Sequence, residues 1–249
     1  MAGLSFANVS KTYTTSRGQA VTALETINLA VREKEFVCLV GRSGCGKTTL
    51  LRIAAGLELS TEGEVRLGNK VITRPDTAVG MVFQEDRLFP WRTVRDNVTL
   101  GLEIKKTPTE KCRATTDKYL HLVGLSGFDG AYPGELSGGM KQRAAIARVL
   151  VNEPEVILMD EPFGSLDAQT RNQMQGELLN IWEYAASTVL FVTHSVDEAV
   201  VLADRVVVMT PSPGRIYWEC PIDLARPRDR TSPLIIEYRR AILSALDAG

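Results

Sequence analysis

Apolar positions along this chain follow two rhythms. In the first third they come in short runs rich in β-branched residues: "LSFANVSKTY", "ALETINLAV", "EFVCLVG" and "GEVRLGNKVI", parted by turn residues. Such runs predict strands. "EFVCLVG" is almost unbroken in its apolar character, as a strand buried on both faces should be. "KTTLLRIAAGLE" follows with the leucine and alanine content of a packed helix that stops near Gly56. The middle of the chain reads as helical. Thr107-Pro108-Thr109-Glu110 puts Thr at the N-cap, Pro at N1 and Glu at N3, and opens a helix that runs to Gly124. In "GGMKQRAAIARVLV", Met140, Ala144, Ala147 and Val151 share one stripe, with Arg143 and Arg148 off it.

The last hundred residues alternate. "EVILMD", "STVLFVTH" and "DRVVVMT" are strand-like; "TRNQMQGELLNIWEYA", with Met174, Leu178, Ile181 and Ala185 in phase, and "VDEAVVLA" are helical. That alternation predicts a parallel α/β sheet. The segment after Pro211 is rich in proline and charge. It predicts an irregular extension closed by the helix "LIIEYRRAILSAL".

Composition narrows the partners. At 249 residues, with 44% hydrophobic and 24% charged residues, the chain can bury a sizeable core. A net charge of −1 gives no global basic field for nucleic acid, and no nucleic-acid partner is expected. No apolar run reaches the length of a membrane span, and the first residues lack a secretion signal. Cys38, Cys45, Cys112 and Cys220 form no C-x-x-C pair and read as reduced cytosolic thiols.

Several short stretches carry chemistry. "GRSGCGKT" matches G-x-x-x-x-G-K-[ST] between a strand and a helix, the context that motif requires. Its backbone N–H groups would wrap phosphates, Lys47 would reach the β- and γ-phosphates, and Thr48 would face Mg²⁺. Asp160 ends the apolar strand "VILMD", placed to hold Mg²⁺; Glu161, one residue on, could polarise an attacking water. His194 and Gln84 also lie at or just beyond the ends of apolar runs, whereas His121 has no such setting. "ELSGGMKQR" (135–143) pairs a Ser-Gly-Gly turn with the start of a helix, a second element suited to phosphate.

Taken together, residues 4 to 217 resemble the nucleotide-binding subunit of ATP-binding cassette (ABC) transporters. The resemblance makes Gly41, Arg42, Ser43, Gly44, Cys45, Gly46, Lys47 and Thr48 the Walker A loop, with Thr49 beside it. Tyr13 stands where that family stacks an aromatic on adenine. Gln84 matches the Q-loop, serving nucleotide and Mg²⁺, and Leu136-Ser137-Gly138-Gly139-Met140 the signature. Asp160 and Glu161 match Walker B, Asp167 lies in the D-loop, and His194 is the switch histidine. The resemblance implies an α/β P-loop ATPase core with a parallel sheet, an N-terminal antiparallel β subdomain and an inserted helical subdomain near 85–150. The cassette would span 4–235, with a C-terminal helix at 236–249. It further implies ATP and Mg²⁺ as cofactors, with Lys47, Gln84, Glu161 and His194 as the catalytic group. Two cassettes would pack head to tail, as a homodimer or with a second cassette, so that Ser137 serves the partner's nucleotide.

"FPW" (89–91) with "TVRDNV" resembles importers of nitrate, sulfonates and taurine, and a thiamine-precursor pyrimidine stays open as the solute. Phe89 and Trp91 are then candidate permease contacts or, alternatively, packing residues. The implied setting is peripheral, on the cytoplasmic face of a bacterial inner membrane, with permease subunits and, indirectly, an extracytoplasmic solute-binding protein as partners. A soluble ABC ATPase acting on ribosomes or DNA is the other class. Lys34, where the family often has Gly, Arg42 inside the Walker A loop, and Met140-Lys141 at the end of the signature depart from its pattern.

Overall fold

A computed structural model describes residues 2–249. In chain order its elements begin with β1 (Ala2–Thr14), β2 (Ala20–Arg32), β3 (Phe36–Val40), α1 (Lys47–Ala54), β4 (Glu62–Leu67) and β5 (Lys70–Val71). The middle holds β6 (Val79–Val82), α2 (Val94–Ile104), α3 (Thr109–Leu122), α4 (Gly138–Leu150), β7 (Val156–Asp160) and α5 (Ala168–Ala185). The chain closes with β8 (Thr188–Thr193), α6 (Val196–Leu202), β9 (Arg205–Met209), β10 (Ile216–Pro221) and α7 (Pro233–Ala248). Two compact units result: residues 2–76 with 188–249, and residues 77–187.

The first unit contains two sheets. β1, β2, β4 and β5 form an antiparallel sheet in the order β2-β1-β4-β5. The alternation of buried and exposed residues along β2 shows why: one face packs and the other is wet. β3 pairs in parallel with β8 on one side and β9 on the other. Every residue of β3 and β8 is buried, which accounts for their unbroken apolar runs. β10 adds antiparallel to β9, with Trp218 opposite Val208 and Cys220 opposite Val206. The tail after Pro211 is therefore not wholly irregular: "IYWECP" alternates half-buried or buried residues with exposed ones, a period of two hidden among prolines and charges. The closing helix runs from Pro233, with Ile235 and Ile242 buried.

Lys34 immediately precedes the buried Glu35, which accepts from the Arg32 amide at 2.7 Å and from Arg205 Nε at 2.9 Å. At φ 61° Lys34 lies in the left-handed region, where a Cβ is strained, and its amide donates to Thr188 Oγ1 at 3.0 Å. Glycine is free there. We expect Lys34→Gly to stabilise the fold by about 0.5–1 kcal/mol, after the larger entropy of glycine in the unfolded chain is subtracted. The check is a shift of the urea midpoint at unchanged slope. A lower midpoint would show that the lysine side chain contributes more than its backbone costs.

The second unit packs α2, α3, α4 and α5 with the parallel pair β6 and β7. Thr93 caps α2, accepting from the Asp96 amide at 3.1 Å. Thr107 does not cap α3 as its sequence suggests. Its amide closes the end of α2 on Leu102 O at 3.0 Å, and Pro108 becomes the N-cap, accepting from the Cys112 amide at 2.8 Å. The competing demand of the preceding helix end moved the cap by one residue.

Candidate functional site

In the first unit the site begins where β3 runs out. Val40 lies opposite Thr193 of β8, so Gly41 and His194 leave neighbouring strand ends side by side. The loop that follows turns through Gly44 at φ 80° and Gly46 at φ 94°. Only glycine serves at Gly46, because a Cβ would meet Leu24 Cδ2 at 2.6 Å and Ala23 O at 2.9 Å. Arg42, Ser43, Gly44 and Thr48 are exposed, while Cys45 is buried.

Lys47 opens α1 and is only 6% exposed. Its ammonium donates to Gly41 O at 2.8 Å and Arg42 O at 3.1 Å, with Cys45 Sγ at 3.7 Å. No carboxylate among the described residues pairs with it. A buried cation held only by carbonyls and a thiol is under-compensated, and a bound anion corrects that. Exposed glycine-loop amides and a helix N-terminus around the same ammonium fit phosphate.

His194 is exposed at the end of β8. Its neighbours are tied down on both sides. Buried Thr193 donates to Glu198 Oε2 at 2.6 Å and accepts from the Ser195 amide at 2.9 Å. Ser195 caps α6, accepting from the Glu198 amide at 3.3 Å. Tyr13 is 37% exposed, with its hydroxyl 3.4 Å from that of Thr49. Arg42 reaches the far end of the chain, 3.6 Å from Asp247.

The second unit assembles the other predicted residues. Val82 lies opposite Met159, so the parallel pair carries Phe83-Gln84 and Asp160-Glu161 out of one edge together. Asp160 is 7% exposed, while Gln84 is exposed. Glu161 is half-buried at φ 44°, and the Gly164 amide closes a turn onto its carbonyl at 3.1 Å. Gln84 faces the same turn: its Nε2 lies 3.8 Å from where a Cβ on Gly164 would sit, and Glu161 Cβ lies 3.9 Å from that point.

Ser137 caps α4, its hydroxyl accepting from the Met140 amide at 3.3 Å. Ser137 and Gly138 are exposed, and a Cβ on Gly139 would stand 3.0 Å from Thr170 Cγ2. The Ser-Gly-Gly turn therefore packs on the start of α5, which Asp167 caps, accepting from the Thr170 amide at 3.0 Å and its hydroxyl at 2.6 Å. The Thr170 hydroxyl and amide hold the Asp167 carboxyl below its ordinary value. Ser137, Gly138, Gly139 and Asp167 thus share one corner. Arg148, at the far end of α4, donates to Arg87 O at 2.6 Å and Asp86 O at 2.8 Å, bracing the loop after Gln84. Burial pushes its guanidinium below its ordinary value. Its off-stripe position in the sequence is the only signal of that role.

Known proteins of one family are similar to this chain. The ABC transporter family model matches residues 24–164. An uncharacterized ABC transporter ATP-binding protein of Methanocaldococcus jannaschii is 58% identical over 229 residues, 92% of this chain and 86% of that protein. The aliphatic sulfonates import ATP-binding protein SsuB of Bacillus cereus is 44% identical over 247 residues, 99% of this chain and 96% of that one. Among solved structures, the dimeric ABC transporter cassette MJ0796 superposes with a TM-score of 0.78 at 34% identity, covering 89% of this chain and all of that one. A post-hydrolysis state of the same cassette, bound to ADP and Pi, gives 0.77. The fold is that of an ABC ATPase cassette, and this chain belongs to the ABC transporter family of ATP-binding proteins.

Proposed function

We propose that the chain is the ATP-hydrolysing subunit of an importer for aliphatic sulfonates or a closely similar small anion. One observation carries the solute class: the likeness to SsuB runs over 99% of this chain. The chain is an ATPase by family, and the similar cassette solved with ADP and Pi is the product state of that reaction.

In this reading Lys47 and the amides of Gly41 to Thr49 hold the phosphates, with Tyr13 on the base. Bound Mg²⁺ would neutralise phosphate charge. The oxygens this chain offers it are the Thr48 hydroxyl, the Asp160 carboxylate and the Gln84 amide. That set fits an ion that keeps several waters and takes few protein ligands. Glu161 orients and deprotonates the attacking water, while His194 and Gln84 contact the γ-phosphate region. Ser137, Gly138, Gly139 and Asp167 act on the nucleotide of a second cassette. The dimeric form of the similar cassette supports that pairing.

No helix among the described residues is long and apolar enough to cross a membrane. We place the chain on the cytoplasmic face of the membrane, held there by a permease. Asn97, fully buried, grips the loop before α2. It accepts from the Phe89 amide at 2.7 Å and donates to the carbonyls of Phe89, Arg92 and Thr93. Trp91 is left 71% exposed, its ring centroid 5.4 Å from that of Phe89. A tryptophan so exposed does not pack a core, and it is the contact we assign to the permease.

Deleting the gene is expected to abolish growth on an alkanesulfonate as the sole sulfur source while growth on sulfate persists. A plasmid copy should restore it, and a Trp91→Ala copy should restore it poorly. Unimpaired growth on alkanesulfonates and taurine, with loss of growth on nitrate, would move the solute to nitrate and overturn the sulfonate assignment.

A further inference from the structure

Tyr13 does not stand alone. Lys11, two residues earlier on β1, points to the same face, and its ammonium lies over the Tyr13 ring at 5.0 Å from the centroid. That ammonium is fixed from two sides. It donates to Leu59 O at 2.8 Å and pairs with Glu58 at 3.1 Å. Glu58 in turn lies 3.5 Å from Arg52 of α1. Burial pushes the Glu58 carboxyl up, but the nearby Tyr13 hydroxyl and the Lys11 and Arg52 cations outweigh it, and the group is held below its ordinary value. Burial also pushes the Tyr13 hydroxyl up.

The network links three segments of the first unit: β1, the start of α1 through Thr49, and the turn after α1 through Glu58. A tyrosine ring has two faces. The cation covers one, and the hydroxyl end is pinned toward the phosphate loop. We infer that Lys11 and Glu58 are positioning residues that hold the Tyr13 ring as a single-faced platform for the nucleotide base. The inference rests on the reading that Tyr13 stacks the base, and it adds what holds that ring in place. The ammonium also withdraws density from the ring, which strengthens stacking with an electron-rich base on the open face.

The test compares ADP with inorganic pyrophosphate, each with Mg²⁺, by calorimetry on the full chain. Neither ligand is turned over, and only ADP carries a base. Tyr13→Ala is expected to weaken ADP on the order of tenfold. Lys11→Met and Glu58→Gln should each weaken ADP about two- to fivefold. All three should leave pyrophosphate binding unchanged. Lys11→Arg, which keeps the cation, should recover most of the loss. In a Tyr13→Ala background Lys11→Met should have no further effect. Several results would overturn the proposal. If Lys11→Met and Glu58→Gln both leave ADP affinity intact while Tyr13→Ala weakens it, the platform stands but the clamp is wrong. If ADP and pyrophosphate weaken together, the network serves the loop and not the ring. If Lys11→Met adds its full effect to Tyr13→Ala, the lysine acts apart from the ring. If Tyr13→Ala itself changes nothing, the stacking reading fails and the clamp with it.

Discussion

A chain carrying Glu161→Gln is expected to bind ATP normally and to lose roughly 10²–10⁴-fold in turnover, the usual contribution of a group that activates water. Gln preserves size and one carbonyl oxygen, so the φ 44° turn and the Gly164 amide bond onto Glu161 O should survive. What disappears is the carboxylate to which the proposed mechanism gives the proton. Asp160 supplies the contrast. It is 7% exposed at the end of β7. Asp160→Asn should weaken Mg²⁺-dependent ATP binding itself. Single-turnover phosphate release, run beside equilibrium binding of Mg²⁺–ATP, separates the two roles. Hydrolysis within a few fold of normal in Glu161→Gln would end the assignment of the base.

The sequence made the site more legible than the way the site is held. Gly41 to Thr48, Asp160-Glu161 and Ser137 to Gly139 are contiguous because each wraps or caps one charged group with a few consecutive residues. Short-range chemistry of that kind leaves its pattern in the sequence. The parallel strands were equally visible, since burial on both faces demands an unbroken apolar run. The supports were not visible. Lys11 and Glu58 are far apart in sequence, and no motif joins them. Arg148 fell off the apolar stripe, and helical phase reports a face and not a partner. β10 was masked by the prolines and charges that flank it. Lys34 showed as a departure from the family pattern, yet only its positive φ explains why glycine is the easier residue there. For Lys11, Glu58 and Arg148 the deciding partner lies outside the window in which periodicity is read.

The Ser-Gly-Gly turn gives the most decisive experiment. Ser137 spends its hydroxyl on its own helix, and the turn opens to solvent at Gly138. Lys47, in the other unit, has no anionic partner of its own among the described residues. If each nucleotide is shared between two copies, Lys47 of one copy and Ser137 of the other serve the same ATP. Consider one chain with Lys47→Ala and a second with Ser137→Arg. Each homodimer then has a lesion in both sites and should hold no ATP tightly. A mixed dimer gathers both lesions into one site and leaves the other intact. It is expected to trap one ATP per dimer, read with labelled nucleotide in a Glu161→Gln background so that turnover does not empty the site. If instead each Ser137 served its own chain's nucleotide, every site in the mixed dimer would carry one lesion, and trapping would stay near that of the homodimers. Arg is bulky where the backbone must approach phosphate, but its charge attracts ATP. Ser137→Glu, which repels it, is therefore run in parallel. Absence of trapped ATP with both substitutions, in dimers shown by differential tagging to be mixed, would mean that the signature turn does not act across the dimer.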